Sequence, residues 1–162
     1  MLKYVDTLVT FSEIPDEITL CINISNCPCH CKGCHSSYLT EDIGKELNID
    51  SLYELISSNK GITCVCLMGG DSNSEYINTL GKTIKKYHLK SAWYSGRQEL
   101  SKEIDLKNFD YIKLGPYIEE LGPLNSKTTN QKFYKVENVS YKDGSLGYAL
   151  NDITYKFHRN EN

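Results

Sequence analysis

The sequence predicts an α/β fold with a mainly parallel sheet, arranged as a partial, laterally open (βα) barrel. Short apolar runs alternate with segments of helical period, which is the pattern of βαβ units. Glycine and polar residues follow these apolar runs, as they do where parallel strands end at a ligand-binding edge. The chain has 162 residues, whereas a closed eight-fold barrel needs roughly 200 or more. A partial barrel is therefore the expected architecture.

The first half of the chain supplies one expected strand and one expected helix. Thr19–Ser25 alternates between two sets of side chains, with branched apolar residues on one face, which predicts a buried strand. Asp50–Ser58 has helical character, and Ser51 with Glu54 forms an expected capping box at its start.

A second strand and helix are predicted around a glycine pair. The apolar run Thr63–Met68 predicts a strand that ends at Gly69-Gly70-Asp71. A helix follows, with an expected capping box formed by Ser72 and Glu75. Its apolar face is expected to contain Tyr76, Ile77, Leu80, Ile84 and Tyr87.

The second half of the chain is predicted to be richer in strands than in helices. Ser91–Tyr94 and Tyr111–Leu114 are short apolar runs, each followed by glycine. Phe133–Tyr141 and Tyr148–Phe157 are expected to be extended, with Asp143-Gly144 as a turn between them. The carboxyl ends of the parallel strands are therefore expected to converge on one edge of the sheet.

Composition and charge exclude several classes of protein. The chain is 40% hydrophobic, and its 18 basic and 21 acidic residues give a net charge of -3. This balance provides no basic footprint for nucleic acid, and no apolar run approaches the roughly 18 residues of a membrane span. The first ten residues lack the apolar core of a signal peptide. We expect one cytoplasmic domain over residues 1–162, with no nucleic-acid or membrane partner.

The cysteines indicate where the chemistry should lie. Four of the seven fall within Cys27–Cys34, and in a reducing compartment such clustering favours metal binding or catalysis over disulfides. Cys27, Cys31 and Cys34 have Cys-x3-Cys-x2-Cys spacing, which suits a [4Fe–4S] cluster held by three thiolates. A structural zinc site would need four ligands. Further zinc-ligand candidates are Cys29, His30, His35, Cys64 and Cys66.

The cysteine spacing resembles that of the radical S-adenosylmethionine (SAM) superfamily. Four further segments are similar in order and spacing to the small activating enzymes of anaerobic ribonucleoside-triphosphate reductase. They are Gly33-Cys34-His35, Gly69-Gly70-Asp71, Asp110–Lys113 and Thr128–Lys132. The resemblance implies a single radical SAM domain and a partial, laterally open (βα) barrel of the radical SAM type.

The function implied by this resemblance is that of an oxidoreductase that activates a glycyl-radical enzyme. An iron–sulfur [4Fe–4S] cluster and SAM would generate a 5′-deoxyadenosyl radical, which takes hydrogen from a glycine of the large anaerobic ribonucleoside-triphosphate reductase subunit. An electron donor such as flavodoxin or ferredoxin would be a second partner. Two alternatives stay open: an activase of another glycyl-radical enzyme, of the pyruvate formate-lyase type, and a noncatalytic zinc-binding module.

The resemblance also implies roles for individual residues. Cys27, Cys31 and Cys34 would be the metal ligands and the catalytic centre. The implied SAM contacts are Gly33, Cys34, His35, Gly69, Gly70, Asp71, Ser95 and Lys113. Asp71 replaces the commoner Glu of the superfamily, and His35 stands where many relatives have Tyr. An ordinary strand-to-helix turn at Gly69-Gly70-Asp71 and a solvated Lys113 are the alternatives. Cys29 is expected to face solvent or the loop.

Overall fold

One mixed sheet of eight strands forms the framework of the computed structural model, which describes residues 1–158. The strands are β1 (Leu2–Thr10), β2 (Thr19–Ile24), β3 (Lys45–Leu47), β4 (Cys64–Met68), β5 (Lys90–Tyr94), β6 (Tyr111–Leu114), β7 (Lys132–Ser140) and β8 (Leu146–Asp152). The α-helices among these residues are α1 (Ile49–Ser58) and α2 (Ser74–Lys86). The predicted domain extends to residue 162, so its last four residues lie outside the described part.

The strand order is β3–β1–β2–β4–β5–β6–β7–β8. The four central strands, β2, β4, β5 and β6, are parallel to their neighbours within this group. Antiparallel pairing adds β1 and β3 on one side and the β7–β8 hairpin on the other. The expected turn at Asp143-Gly144 lies between β7 and β8, where Gly144 has a φ of 84°.

The predicted partial, laterally open (βα) barrel of the radical SAM type is wrong. A barrel of that type needs successive parallel strands, each followed by a helix that packs on the outside of the sheet. Here the β5–β6 connection contains only a 3₁₀ turn at Leu106–Asn108. Antiparallel strands also flank the parallel group on both sides, so the described residues form an open mixed sheet with two short helices.

Both predicted capping boxes are wrong as well, because each helix uses an asparagine cap. Asn48 precedes α1: Ser51 N donates to Asn48 Oδ1, and Asn48 N donates to Ser51 Oγ, both at 2.9 Å. Asn73 caps α2, accepting from Tyr76 N at 3.1 Å. Asparagine satisfies the free backbone donors of a first turn as well as serine does.

None of the helices within residues 1–158 combines the length and the hydropathy of a membrane-spanning segment.

The two helices cover one face of the sheet and form the main core. The buried residues of this core include Leu20, Ile22, Ile24, Val65, Leu67, Trp93 and Ile112 from strands, and Leu52, Ile77, Leu80 and Ile84 from helices. The apolar face predicted for the Thr19–Ser25 strand, which is observed as β2, is thereby confirmed. Such burial, at about 25 cal/mol per Å² of apolar surface, is the main stabilising contribution.

The opposite face of the sheet is covered by irregular segments instead of helices. Cys21, Cys64, Cys66, Ala92, Tyr111 and Phe133 pack there against Ile14, Leu124 and Ile153. At the amino-terminal end of the parallel strands, buried Glu17 accepts from Thr63 Oγ1 at 2.5 Å and from Tyr111 OH at 3.2 Å, and it pairs with Lys90. This network closes that end of the sheet.

Candidate functional site

The carboxyl ends of the four parallel strands lie in register along one edge of the sheet. Asn23 of β2 is opposite Met68 of β4, Met68 is opposite Tyr94 of β5, and Tyr94 is opposite Lys113 of β6. The cysteine loop follows the first of these strands, and the glycine pair follows the second. The convergence of strand ends predicted from the sequence is therefore present.

The cysteine loop is held in place by backbone hydrogen bonds to the segment that precedes β3. Asn26 N donates to Glu41 O and Cys27 N donates to Leu39 O, both at 2.9 Å. Within the loop, Cys34 N donates to Cys31 O at 3.2 Å. The first two bonds hold the start of the loop, the third closes a turn over Cys31–Cys34, and residues 28–33 form neither helix nor strand.

The four thiols of this loop are free and half-buried. Thiolates are the protein ligands of iron–sulfur clusters, so Cys27, Cys31 and Cys34 have the donor chemistry that such a cluster requires. Within residues 1–158, no three His, Cys, Asp or Glu side chains already stand in a metal-binding arrangement. The loop therefore fits a cluster by its ligands, and binding would have to draw the three sulfurs together.

Asp71 is the best-connected polar residue of the site. It is buried, with 8% of its surface exposed, in a 3₁₀ turn at Asp71–Asn73. Its Oδ1 accepts from Ser95 Oγ at 2.5 Å, and its Oδ2 accepts from Gly96 N at 2.9 Å. Two of the residues implied as SAM contacts, Asp71 and Ser95, are thus brought together across neighbouring strands.

Cys29 faces this carboxylate, although the sequence led us to expect a thiol facing solvent or the loop. Its Sγ donates to Asp71 Oδ2 at 3.9 Å. Burial, the nearby Asp71 carboxylate and the neighbouring Cys27 raise the pKa of Cys29 to about 12. The surroundings of Cys29 therefore favour its neutral thiol form beside one oxygen of Asp71.

Gly69 and Gly70 have conformations and neighbours that account for glycine at both positions. Gly69 has a φ of 101° and its carbonyl oxygen accepts from Trp93 Nε1 at 2.8 Å. Gly70 has a φ of 87°, and a Cβ there would overlap Ile77 of helix α2. The turn and the close approach of α2 therefore require glycine independently of any ligand. The cavity beside the cysteine loop is lined by residues other than this glycine pair.

A cavity of about 460 Å³ lies beside the cysteine loop, on the face of the sheet that has no helices. Its volume is in the range of small-molecule sites. Cys34, His35, Met68, Tyr94, Lys113, Glu13, Tyr117 and Gln131 are among its lining residues. A larger depression of about 890 Å³, lined by Phe11, Lys127 and Lys156, contains none of the strand-end or cysteine-loop residues.

Two titratable residues that line the 460 Å³ cavity, Lys113 and Glu13, have shifted pKa values. Burial lowers the pKa of Lys113, although the nearby Asp71 carboxylate opposes this shift. Its Nζ lies 5.5 Å from the centroid of the Tyr94 ring. Burial raises the pKa of Glu13, and Lys113 opposes that change. The cavity therefore contains a cation and a carboxyl group in surroundings that strengthen electrostatic contacts with a ligand.

The remaining predicted residues, Gly33 and His35, contact the segment that follows β6. A Cβ at Gly33 would lie 3.0 Å from Glu119 Cδ, and Gly33 has a φ of 74°. The His35 ring lies 5.9 Å from the Tyr117 ring, measured between centroids, with a 54° angle between the planes. This segment thereby lies next to the end of the cysteine loop, where Gly33 and His35 are both exposed.

The sequence did not identify Glu13, Tyr117 or Gln131 as lining residues. These residues lie in segments without helical or strand periodicity, so no local pattern distinguishes them from other loop residues. Gln131 belongs to the Thr128–Lys132 segment that was recognised by resemblance, which was the one available signal.

Comparisons with protein-family models, with curated proteins and with solved structures find no match to this chain.

Proposed function

We propose that this chain is a SAM-dependent activase of a glycyl-radical enzyme, with the large subunit of anaerobic ribonucleoside-triphosphate reductase as its partner. The observation that carries the proposal is the position of the Cys-x3-Cys-x2-Cys loop. It lies at the carboxyl ends of four parallel strands, in contact with a buried carboxylate and beside a cavity of about 460 Å³.

Cys27, Cys31 and Cys34 would hold a [4Fe–4S] cluster, which leaves one iron without a protein ligand. When bound, the cluster supplies the electron that cleaves a carbon–sulfur bond of SAM. The role of the residues of this chain is to bind and orient SAM.

Asp71 and Lys113 are suited to the two charged groups of an amino acid moiety. The Asp71 carboxylate is held by Ser95 Oγ and Gly96 N, so it is oriented before a ligand arrives. Its charge would pair with the ammonium group of SAM, and the Lys113 ammonium group would pair with the carboxylate. Because both groups are partly desolvated, each pair would be stronger than in water.

The cavity suits a substrate that is part of another protein. Tyr94, Leu124 and Phe157 give it an apolar wall, and the cavity is not fully enclosed by this chain. A radical formed there would be quenched unless a macromolecule closed the opening. A glycine-containing loop of the partner could do so, because glycine has no side chain to hinder approach to its Cα hydrogen.

The test is transfer of hydrogen from the partner. The reconstituted protein is mixed anaerobically with the reductase, SAM and a strong reductant, and the electron paramagnetic resonance spectrum is recorded. The proposal predicts a glycyl doublet, and deuterium placed on the Cα of the target glycine should appear in 5′-deoxyadenosine.

The proposal is contradicted if deuterium never reaches 5′-deoxyadenosine, or if a small metabolite alone supports full turnover. Replacing the reductase by a pyruvate formate-lyase type enzyme tests the other activase assignment. A glycyl doublet that forms only with that enzyme would support the proposed reaction but assign the chain to a different partner.

A further inference from the structure

Gln131 is the most deeply buried polar residue in the lining of the 460 Å³ cavity. Only 6% of its surface is exposed, whereas the other polar lining residues are half-buried or exposed. Buried polar groups in folded proteins are nearly always hydrogen-bonded. The hydrogen-bonding positions of the Gln131 amide that the chain itself leaves free therefore indicate what the cavity can bind.

Gly115 fixes the orientation of this amide. Gln131 Nε2 donates to Gly115 O at 3.4 Å. Because a carbonyl oxygen can only accept, the Nε2 group and not Oε1 must face Gly115. Gly115 has a φ of 113°, and a Cβ there would lie 3.1 Å from Gln131 Cα, so glycine allows the two segments to approach closely. The backbone is held as well, since Gln131 N donates to Thr129 Oγ1 at 3.0 Å.

The side-chain oxygen of Gln131 is left without a partner from the described part of the chain. No hydrogen bond within residues 1–158 ends on Oε1, although the side chain is buried. Nor is Oε1 fully enclosed, unlike the unpaired atoms Thr19 Oγ1, Ser91 Oγ and Asn130 Oδ1. An acceptor that is neither paired nor enclosed is open to a ligand in the cavity that Gln131 lines. The ligand group that it requires is a donor, such as an amide N–H.

The substrate of the proposed function offers donors of this kind. A glycine has no side chain, so its Cα hydrogen is flanked only by the backbone N–H and C=O groups of the peptide chain. A backbone N–H that leaves water without finding a new acceptor weakens binding. A cavity that takes up a glycine-containing segment must therefore supply an acceptor, and Gln131 Oε1 is one that is already oriented.

An extended segment has an approach to the cavity along the neighbouring depression. The 890 Å³ depression and the 460 Å³ cavity share Ser12, Asn125 and Phe157, so the two spaces lie side by side. The Phe157 ring packs on Phe133, with 5.0 Å between centroids, and Phe133 follows Gln131 by two residues. Two adjoining spaces suit a peptide chain, which continues beyond the glycine in both directions, better than a compact small molecule.

We propose that Gln131 binds the backbone of the partner's glycine-containing segment, with Oε1 accepting a peptide N–H next to the glycine that loses its Cα hydrogen. The inference rests on the proposed function, because it takes that segment as the substrate. Asp71 and Lys113 remain assigned to SAM, and Gln131 is a substrate-binding residue. Its amide positions the Cα hydrogen through the backbone, which is all that a glycine offers for recognition.

The first test separates binding of the partner from binding of SAM. Affinity for a fluorescent peptide that contains the target glycine is measured by fluorescence anisotropy, with the reconstituted protein and SAM but without reductant. Gln131→Met, which keeps the length of the side chain and removes the amide, should bind the peptide about 5- to 150-fold more weakly, the effect of one buried donor left unpaired. Its affinity for SAM in calorimetry should equal that of the wild type. Gln98→Met is the matched control, because Gln98 is exposed and lines neither of these two cavities.

The second test changes the peptide instead of the protein. Each backbone nitrogen around the target glycine is methylated in turn, which removes one N–H from each peptide. One of these peptides should bind the wild type about 5- to 150-fold more weakly than the unmethylated peptide does. For Gln131→Met, the same methylation should leave the affinity unchanged, because the acceptor is already absent.

Unchanged peptide affinity in Gln131→Met would overturn the inference. So would weaker SAM binding by this variant, which would place Gln131 against SAM. The inference also falls if the wild type does not bind the peptide, or if every methylation affects the wild type and Gln131→Met equally. None of these results decides whether deuterium moves from the intact reductase to 5′-deoxyadenosine, which tests the proposed function separately.

Discussion

Substitution of Gly70 tests whether the Gly69-Gly70-Asp71 turn is required by the fold itself. Gly70 adopts φ 87° and ψ 14°, in the left-handed region. A Cβ at this position would overlap the Cδ1 atom of Ile77 and lie 2.8 Å from its Cγ1 atom. Gly70→Ala should therefore destabilise the cluster-free protein, before any metal or SAM is involved.

The size of the effect follows from two separate costs. A left-handed backbone costs about 1–2 kcal/mol for alanine relative to glycine. Overpacking against a buried helix adds about 1–3 kcal/mol. Gly61 is the matched control, because it has the same φ of 87° and, apart from its two chain neighbours, a Cβ there would meet no atom of residues 1–158 within 4 Å. Gly70→Ala should thus cost about 2–5 kcal/mol, and Gly61→Ala about 1–2 kcal/mol.

Urea denaturation of the cluster-free proteins, followed by circular dichroism, measures both costs. Shortening the clashing side chain in the double variant Gly70→Ala/Ile77→Val should make its destabilisation smaller than the sum of the two single effects. A wild-type unfolding free energy in Gly70→Ala would refute the packing explanation. So would equal losses in Gly70→Ala and Gly61→Ala.

Three further substitutions probe the site and the closed end of the sheet. Ser95→Ala removes a donor to the Asp71 carboxylate and should cost about 1.5–3 kcal/mol in urea denaturation; no loss would contradict the geometry. Lys113→Met should stabilise the cluster-free protein at neutral pH, because burial lowers the pKa of Lys113, yet weaken SAM binding about tenfold or more in calorimetry. Burial and Glu17 raise the pKa of Tyr111 from 10.0 to about 12, so wild-type stability should fall as pH rises through this interval. Tyr111→Phe should lose less stability over the same pH interval. An equal loss of unfolding free energy in both proteins would contradict this.

The parallel centre of the fold was predictable because its signal is local. Buried parallel strands are continuous apolar runs, and Thr63–Met68, Ser91–Tyr94 and Tyr111–Leu114 all correspond to observed strands. The strand β1 was missed because most of its residues are only partly buried or exposed, which weakens the pattern. The three residues of β3 are too few to form a recognisable one.

The barrel prediction failed because strand pairing depends on contacts between distant parts of the chain. The extended character of Phe133–Tyr141 and the turn after it were visible in the sequence, whereas the predicted extended segment Tyr148–Phe157 is a strand only to Asp152 and ends in a 3₁₀ turn at Thr154–Phe157. The antiparallel addition of the β7–β8 hairpin to β6 was not visible, since it depends on pairs such as Ile112 with Tyr134. Because β7 pairs antiparallel with β6, the parallel group ends at β6 on this side of the sheet.

The residues of the candidate site were predictable to the extent that they lie at strand ends. The topology of parallel strands places Asp71, Ser95 and Lys113 on one edge, whatever the loops do. The orientation of Cys29 was not predictable, because it depends on the missing side chain of Gly96 in another strand–loop junction. The cavity wall likewise depends on where irregular segments cross the sheet.

The most direct test of the central claim is the metal content of the cysteine loop. After anaerobic reconstitution with iron and sulfide, the wild-type chain should contain about four irons and show broad charge-transfer absorption in the visible range. Cys27→Ala, Cys31→Ala and Cys34→Ala should each lose this iron, while Cys21→Ala keeps it. A colourless wild-type protein with stoichiometric zinc would contradict the account.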